Sequence, residues 1–308
     1  MKEQTHYDVI IIGGSYSGLS AAMALGRSLR KVLVIDSGKP CNAQTPHSHN
    51  FLTQDGQTPA AITAAAKEQV VAYDTVTMLE GVAVKGQQVD RGFEIETDAG
   101  ENFSSRKIIF AAGIKDNLPG IQGFKECWGI SLIHCPYCHG YEVRNANTAI
   151  VGNGDAGFEL ARMIWQWTKQ LTVLTNGKSS FTEEQTQLLS QHSIRVIEKE
   201  IAELQHERGQ IAKVGFKDGS ILQVTAVYFR APFEQHCAIP LQIGCELTEM
   251  GHIKTDPMQR TNIPGVYAVG DSVSPMRSVA NAVYTGSFAG AAVNREMIEE
   301  DFTNRSKD

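Results

Sequence analysis

At 308 residues, with 42% hydrophobic residues, 28 glycines and 7% aromatics, the chain reads as a soluble α/β protein with room for two domains. A formal charge of −6 and the lack of a basic patch argue against nucleic acid as a partner. No apolar run approaches the roughly 20 residues of a membrane span, no secretory signal precedes the first apolar run, and six cysteines are too sparse for a disulfide scaffold, so a reducing, cytoplasmic setting is expected.

The first predicted elements are a buried strand (Asp8–Ile12), a glycine turn with Gly13, Ser15 and Gly18, and a helix rich in small residues. A second strand, Val32–Asp36, follows, giving a βαβ start with the dinucleotide fingerprint. Gly13 suits a tight turn and Gly18 suits close helix–strand packing. Ser15 stands where the fingerprint has its middle glycine; it is small enough to keep the turn and can donate its hydroxyl to phosphate. The helix start offers N–H groups to a diphosphate, and Asp36 is spaced to accept from an adenosine ribose.

The next marker with chemistry is Ile133–Tyr141, IHCPYCHGY. C-x-x-C followed by His can be a haem attachment site, half a zinc site or a redox dithiol. Zinc needs four converging ligands. Cys135 and Cys138 have only His134 and His139 beside them, and Cys237 and Cys245 are too widely spaced for a second knuckle. Haem lacks both an export signal and an axial-ligand region. The redox reading is coherent: two intervening residues allow a small disulfide ring, and a helix start or imidazolium nearby lowers a thiol pKa.

A second strand–turn–helix–strand pattern then begins, with Gly152, Gly154 and Gly157, a helix to about Thr168 and a strand at Leu171–Thr175. Here Thr175-Asn-Gly-Lys178 stands where NAD needs a carboxylate and NADP needs arginines. The fingerprint predicts a dinucleotide, while the selectivity residues match neither form. The site is expected either to take NAD(P)H weakly or to be a scaffold that no longer receives hydride from it.

Two further segments carry resemblances. Ile108–Gly113 resembles the strand that ends the first half of an FAD domain. Thr261–Asp271, ending in Gly270-Asp271, resembles the segment that completes the FAD site in flavoproteins with two dinucleotide-binding domains. The implied fold is α/β with two Rossmann-like domains (three-layer ββα): an FAD domain split into 1–117 and 244–308, and an inserted NAD(P)-binding-like domain, 118–243, that carries the dithiol. The order of FAD fingerprint, C-x-x-C, second fingerprint and Gly-Asp resembles low-molecular-weight thioredoxin reductases over essentially the whole chain.

The resemblance implies an FAD-dependent thiol–disulfide oxidoreductase, with Cys138 facing the flavin and Cys135 attacking the external thiol or disulfide. It also implies a homodimer and an inserted domain that rotates between flavin and substrate. His139 replaces the acid that the family places after the second cysteine, and imidazole can move a proton in either direction. The Cys41–Asn50 loop is expected to bring His49 or Asn50 to the isoalloxazine, with Cys41 itself inert. Tyr141 and Glu142 are read as loop supports. Of the family's Arg-Gln-Ala element only part remains, as Arg277-Ser278-Val279. The altered 2′-phosphate site and C-P-Y-C-H-G-Y-E are also similar to thioredoxin-reductase-like dithiol oxidases, which close disulfides in small molecules and pass electrons to oxygen. Three readings follow: a reductase fed by NAD(P)H or another donor, a dithiol oxidase, and, disfavoured by the intact cysteine pair, a non-enzymatic flavin redox sensor.

Overall fold

The computed structural model describes residues 6–304. The chain forms two compact units. One comprises the described residues of Met1–Ala43, Asn50–Lys115 and Phe233–Asp308; the other comprises Gln44–His49 and Asp116–Pro232.

The first unit starts with β1 (His6–Ile12), α1 (Tyr16–Arg27), β2 (Val32–Asp36), α2 (Pro59–Val71) and β3 (Val76–Glu80). β4 (Ala83–Val89), β5 (Gly92–Thr97) and β6 (Asn102–Phe110) complete its first stretch, and β7 (Ile114–Asp116) leads out of it. β1 to β3 and the C-terminal half of β6 are parallel, which accounts for the unbroken apolar run Val9–Ile12, buried on both faces. β4 and β5 add an antiparallel meander on β6, where alternation appears instead: Phe93 and Ile95 are inward and their neighbours half-exposed.

In the second unit come α3 (Phe124–Cys127), β8 (Leu132–Ile133), α4 (Pro136–His139), β9 (Thr148–Val151), α5 (Gly154–Ile164), β10 (Leu171–Leu174) and α6 (Glu183–Gln191). β11 (Arg195–Ile197) and β15 (Ala226–Phe229) join them in a parallel sheet ordered β11-β10-β9-β15-β8. An antiparallel meander of β12 (Ile201–Glu207), β13 (Gln210–Phe216) and β14 (Ile221–Gln223) intervenes in sequence. α5 ends at Ile164, short of Thr168, because Thr168 turns its hydroxyl onto Ala146 O at 2.8 Å and the chain tightens into turns.

β16 (Phe233–Gln235) pairs with β7, and α7 (Ile239–Gln242) follows. Ile239 and Cys245 already sit in the first unit's core, so the chain returns there at 233 rather than 244. No glycine signal marks that return in the sequence. Gln44–His49 also group with the second unit, where Thr45 and Ser48 are buried and Gln44 and Thr45 lie against Gly129.

β17 (Val266–Ala268) adds to β6 in parallel, a 3₁₀ turn covers Gly270–Ser272, and α8 (Val279–Asn304) lies on α1. The helices approach so closely that a Cβ at Gly286 would overlap Ser17 O, and one at Gly290 would stand 2.8 Å from Ala24 Cβ. Buried Lys107 on β6 is neutralised by Glu296 and Glu300 of α8, and Glu296 also accepts from the Tyr267 hydroxyl at 2.6 Å. An ion held this deep is tolerable only because its acids meet it there.

Candidate active site

At the first glycine turn, Gly13 N–H donates to Ile35 O at 2.8 Å, and Gly14 N–H to Asp36 Oδ1 at 3.2 Å. Asp36 Oδ2 also meets Lys67 Nζ at 3.0 Å, so the carboxylate is fixed while keeping further acceptor capacity. A Cβ on Gly18 would overlap Gly13 O, and Gly13 itself has φ +107°. Ser15 precedes α1 in extended conformation with no side-chain capping bond, and no acid lies in the first turn of the helix. The start of α1 therefore retains its positive end for a ligand.

Two other predicted segments converge on this turn. Gly270, at φ +70°, is so close that its Cβ would stand 2.8 Å from Ser17 Oγ, and its N–H donates to Thr285 Oγ1 of α8 at 3.0 Å. Ser272 Oγ donates to Gly113 O at 3.3 Å. Asp271 pairs with Arg277 at 3.5 Å. Ser278 Oγ accepts from Asn281 N–H at 3.1 Å, at the entry to α8, which Val279 begins. Asn50 lies at φ +61°, its N–H bonded to Asp55 Oδ1 at 2.7 Å.

In the second unit, Cys135 immediately precedes α4 with extended backbone, Pro136 opens the helix and Cys138 lies in it. This one turn brings the sulfurs to 2.9 Å, with the Cys138 thiol donating. His139 completes the turn. Both its ring nitrogens are buried, and its pKa is lowered by that burial first and by nearby His49 second, against weaker opposition from Glu142 and a hydrogen bond with the His47 backbone. The imidazole is thus neutral at pH 7 and suited to accepting a proton. His49 packs edge-on to His139, centroids 6.4 Å apart, and its Nε2 lies 3.5 Å from Glu142 Oε1. Burial raises the remaining core thiols, Cys127 to about 11 and Cys237 and Cys245 in the same direction, which makes them poor nucleophiles. Among the described residues no group of three or more His, Cys, Asp and Glu is arranged to hold a metal, and no helix is long and apolar enough to cross a membrane.

The second glycine turn has the same backbone logic: a Cβ on Gly157 would stand 2.6 Å from Gly152 C, and Gly152 N–H donates to Leu174 O at 3.1 Å. Its side chains differ. Asn153 Oδ1 accepts from Gly154 N–H at 2.9 Å and from Ser180 N–H at 2.8 Å, while Asn153 Nδ2 donates to Lys178 O at 2.9 Å. Asp155 adds an acid to the first turn of α5, held by Gln185 Nε2 at 2.7 Å. Thr175 is buried, with its hydroxyl on Gly177 O at 2.6 Å, and Asn176 Oδ1 accepts from Ile201 N–H at 2.7 Å.

Residues 7–286 match the family model described as pyridine nucleotide-disulphide oxidoreductase. The chain belongs to this family. It is 32% identical over 305 residues to the thioredoxin reductase tcpT of Claviceps purpurea, covering 95% of each chain. Among solved structures it resembles the putative thioredoxin reductase TrxB of Bacillus anthracis, with a TM-score of 0.91, 28% identity and coverage of 96% and 99% of the two chains. It also resembles HlmI, with a TM-score of 0.93, 30% identity and coverage of 98% and 96%. The fold is the two-domain Rossmann-like arrangement of the thioredoxin reductases, and the protein is an FAD-dependent oxidoreductase acting on sulfur groups.

As a pyridine nucleotide-disulphide oxidoreductase, the chain has residues that fit FAD at the first turn. A cradle bare of Cβ atoms, an uncapped helix start and a fixed carboxylate lie together with Gly270. Sequence reasoning missed two contributors. The Asn153 cap and the His49–Glu142 contact depend on residues distant in the chain, and nothing in the local pattern around Asn153 or Glu142 signals them.

Proposed function

We propose that the protein is an FAD-dependent dithiol oxidase in which Cys135 and Cys138 form the redox pair. The observation that carries the direction is the second glycine turn: Asn153 occupies the helix start and Asp155 places negative charge beside it, which opposes a nicotinamide dinucleotide diphosphate. At the first turn, Gly13, Ser15 and Gly18 would cradle the FAD diphosphate, Asp36 would accept from the ribose, and Gly113, Gly270, Asp271 and the Arg277–Val279 segment would complete the site. FAD, when bound, would supply the two-electron acceptor for the dithiol, with oxygen as the final oxidant.

The chain's own residues perform the thiol exchange. A substrate thiolate attacks Cys135 Sγ of the oxidised pair, and Cys138 leaves as thiolate. The second substrate thiol then displaces Cys135 Sγ and closes the substrate disulfide, leaving both cysteines reduced. Two electrons and two protons pass from substrate to enzyme. Neutral His139 takes the proton from the reacting thiol, and its depressed pKa favours this base role over that of an acid.

The test is anaerobic bleaching of the flavin band by NADPH, NADH or a small dithiol. Bleaching by the dithiol alone is expected; rapid bleaching by either nicotinamide would establish a pyridine-nucleotide-fed reductase instead. Cys138→Ser is expected to retain FAD and abolish exchange between flavin and thiols. Turnover that survives it would exclude this pair.

A further inference from the structure

Tyr228 is fully buried, and its hydroxyl has no hydrogen-bond partner. It lies on β15 in register with Ile133 of β8, two residues before Cys135. Side chains alternate along β8 and beyond it. Leu132 packs in the cluster on one face of the sheet, together with Trp128; Ile133 packs in the cluster on the other face, together with Tyr228. His134 returns to the first face, with its ring 5.9 Å from that of Trp128. Cys135 has extended backbone and follows two residues after Ile133, the strand partner of Tyr228, and its charge is felt at the Tyr228 hydroxyl.

The Tyr228 ring belongs to an apolar cluster with Ile133, Ile150, Leu160 and Ile164. A phenyl ring would fill this space without stranding a donor, so a buried phenol here calls for a partner present at another stage. The acids felt by Tyr228 are Cys135 and Glu142; together with burial, the larger effect, they push its pKa up and keep it a protonated donor at every working pH. In the reduced pair Cys135 is engaged by the Cys138 thiol at 2.9 Å. That contact is lost whenever Cys138 reacts elsewhere, and Cys135 is then a thiolate at the edge of an apolar cluster.

We propose that the Tyr228 hydroxyl is the hydrogen-bond donor that stabilises the Cys135 thiolate once Cys138 has turned away, and so favours its departure when the second substrate thiol displaces it. No proton is transferred: Tyr228 remains neutral and donates to Sγ. This rests on the reading of Cys135 as the interchange thiol. Around the pair, Cys138, His139 and Glu142 come from the α4 turn, His134 from the end of β8 and His49 from the preceding loop; Tyr228 is the donor from the sheet.

The experiment compares Cys138→Ala with Cys138→Ala/Tyr228→Phe. Iodoacetamide alkylation of Cys135 is followed against pH by peptide mass spectrometry, with exposed Cys41 as internal control. Loss of the donor is expected to raise the apparent Cys135 pKa by about one unit, which lowers its alkylation rate about tenfold at pH values below both pKa values, while Cys41 is unchanged. Superimposable Cys135 profiles would overturn the proposal. Tyr228→Phe alone is expected to unfold no earlier than the parent; a marked loss of thermal stability would show a structural partner for the hydroxyl and would also overturn it. Alkylation requires neither flavin nor substrate, so this outcome is independent of whether the dithiol-oxidase reading holds.

Discussion

At the first glycine turn Ser15 leaves the start of α1 uncapped and no acid follows it; at the second, Asn153 caps α5 and Asp155 lies in its first turn. Both turns rest on the same backbone device, a glycine so close to a neighbouring strand end that no Cβ fits. The common part is what builds a βαβ unit. The divergent part carries the proposed difference between their anion sites. A fingerprint of glycines therefore reports a fold, and the residues between the glycines report a ligand.

The widest separation between the turns should come from adding one methyl group to each. Gly18→Ala and Gly157→Ala are both expected to lower stability by about 1–3 kcal/mol through overpacking, but only Gly18→Ala should yield protein without flavin absorbance. Equal flavin content in the two variants would dissolve the distinction. Asp36→Asn should weaken FAD by about tenfold, roughly 1.4 kcal/mol, as read by flavin fluorescence during titration of the apoprotein. Asn153→Ala removes a helix cap and should lower the unfolding free energy by about 1 kcal/mol with no change in flavin content.

The smallest effect is a pH dependence. Burial lowers the pKa of His139 and of His252, so each binds its proton less readily folded than unfolded. Their contribution is complete above the ordinary histidine value of 6.5 and is lost as pH falls through the depressed folded-state values. Thermal unfolding midpoints should therefore decline on acidification from about pH 6.5. His139→Asn should flatten that decline in part, and a slope unaltered by the substitution would count against a buried neutral imidazole.

Much of the fold was legible because its signals are local. Val9–Ile12 and Val32–Ile35 are apolar runs of strand length, and Gly13 and Gly18 announce the turn between strand and helix. The spacing to Asp36 also survives translation into structure, since β2 ends on that residue beside Gly14. The return to the first unit was less legible. Phe233–Gln235 carries no motif, and its place is fixed by pairing with β7, far away in sequence. The contact of His49 with Glu142 and His139 was not legible either, because it depends on Gln44–His49 packing with the second unit.

By itself the sequence determined the two βαβ units, their order and the proximity of two thiols, because hydrophobic period, glycine spacing and a two-residue separation act over one or two turns of chain. Tertiary structure decided which polar atoms are already satisfied. Ser180 and Lys178 complete the Asn153 cap from beyond β10, and the Tyr228 hydroxyl on β15, beside β8, is buried without a partner. Burial and hydrogen bonding are sums over neighbours brought together by the whole fold, and no local pattern contains them.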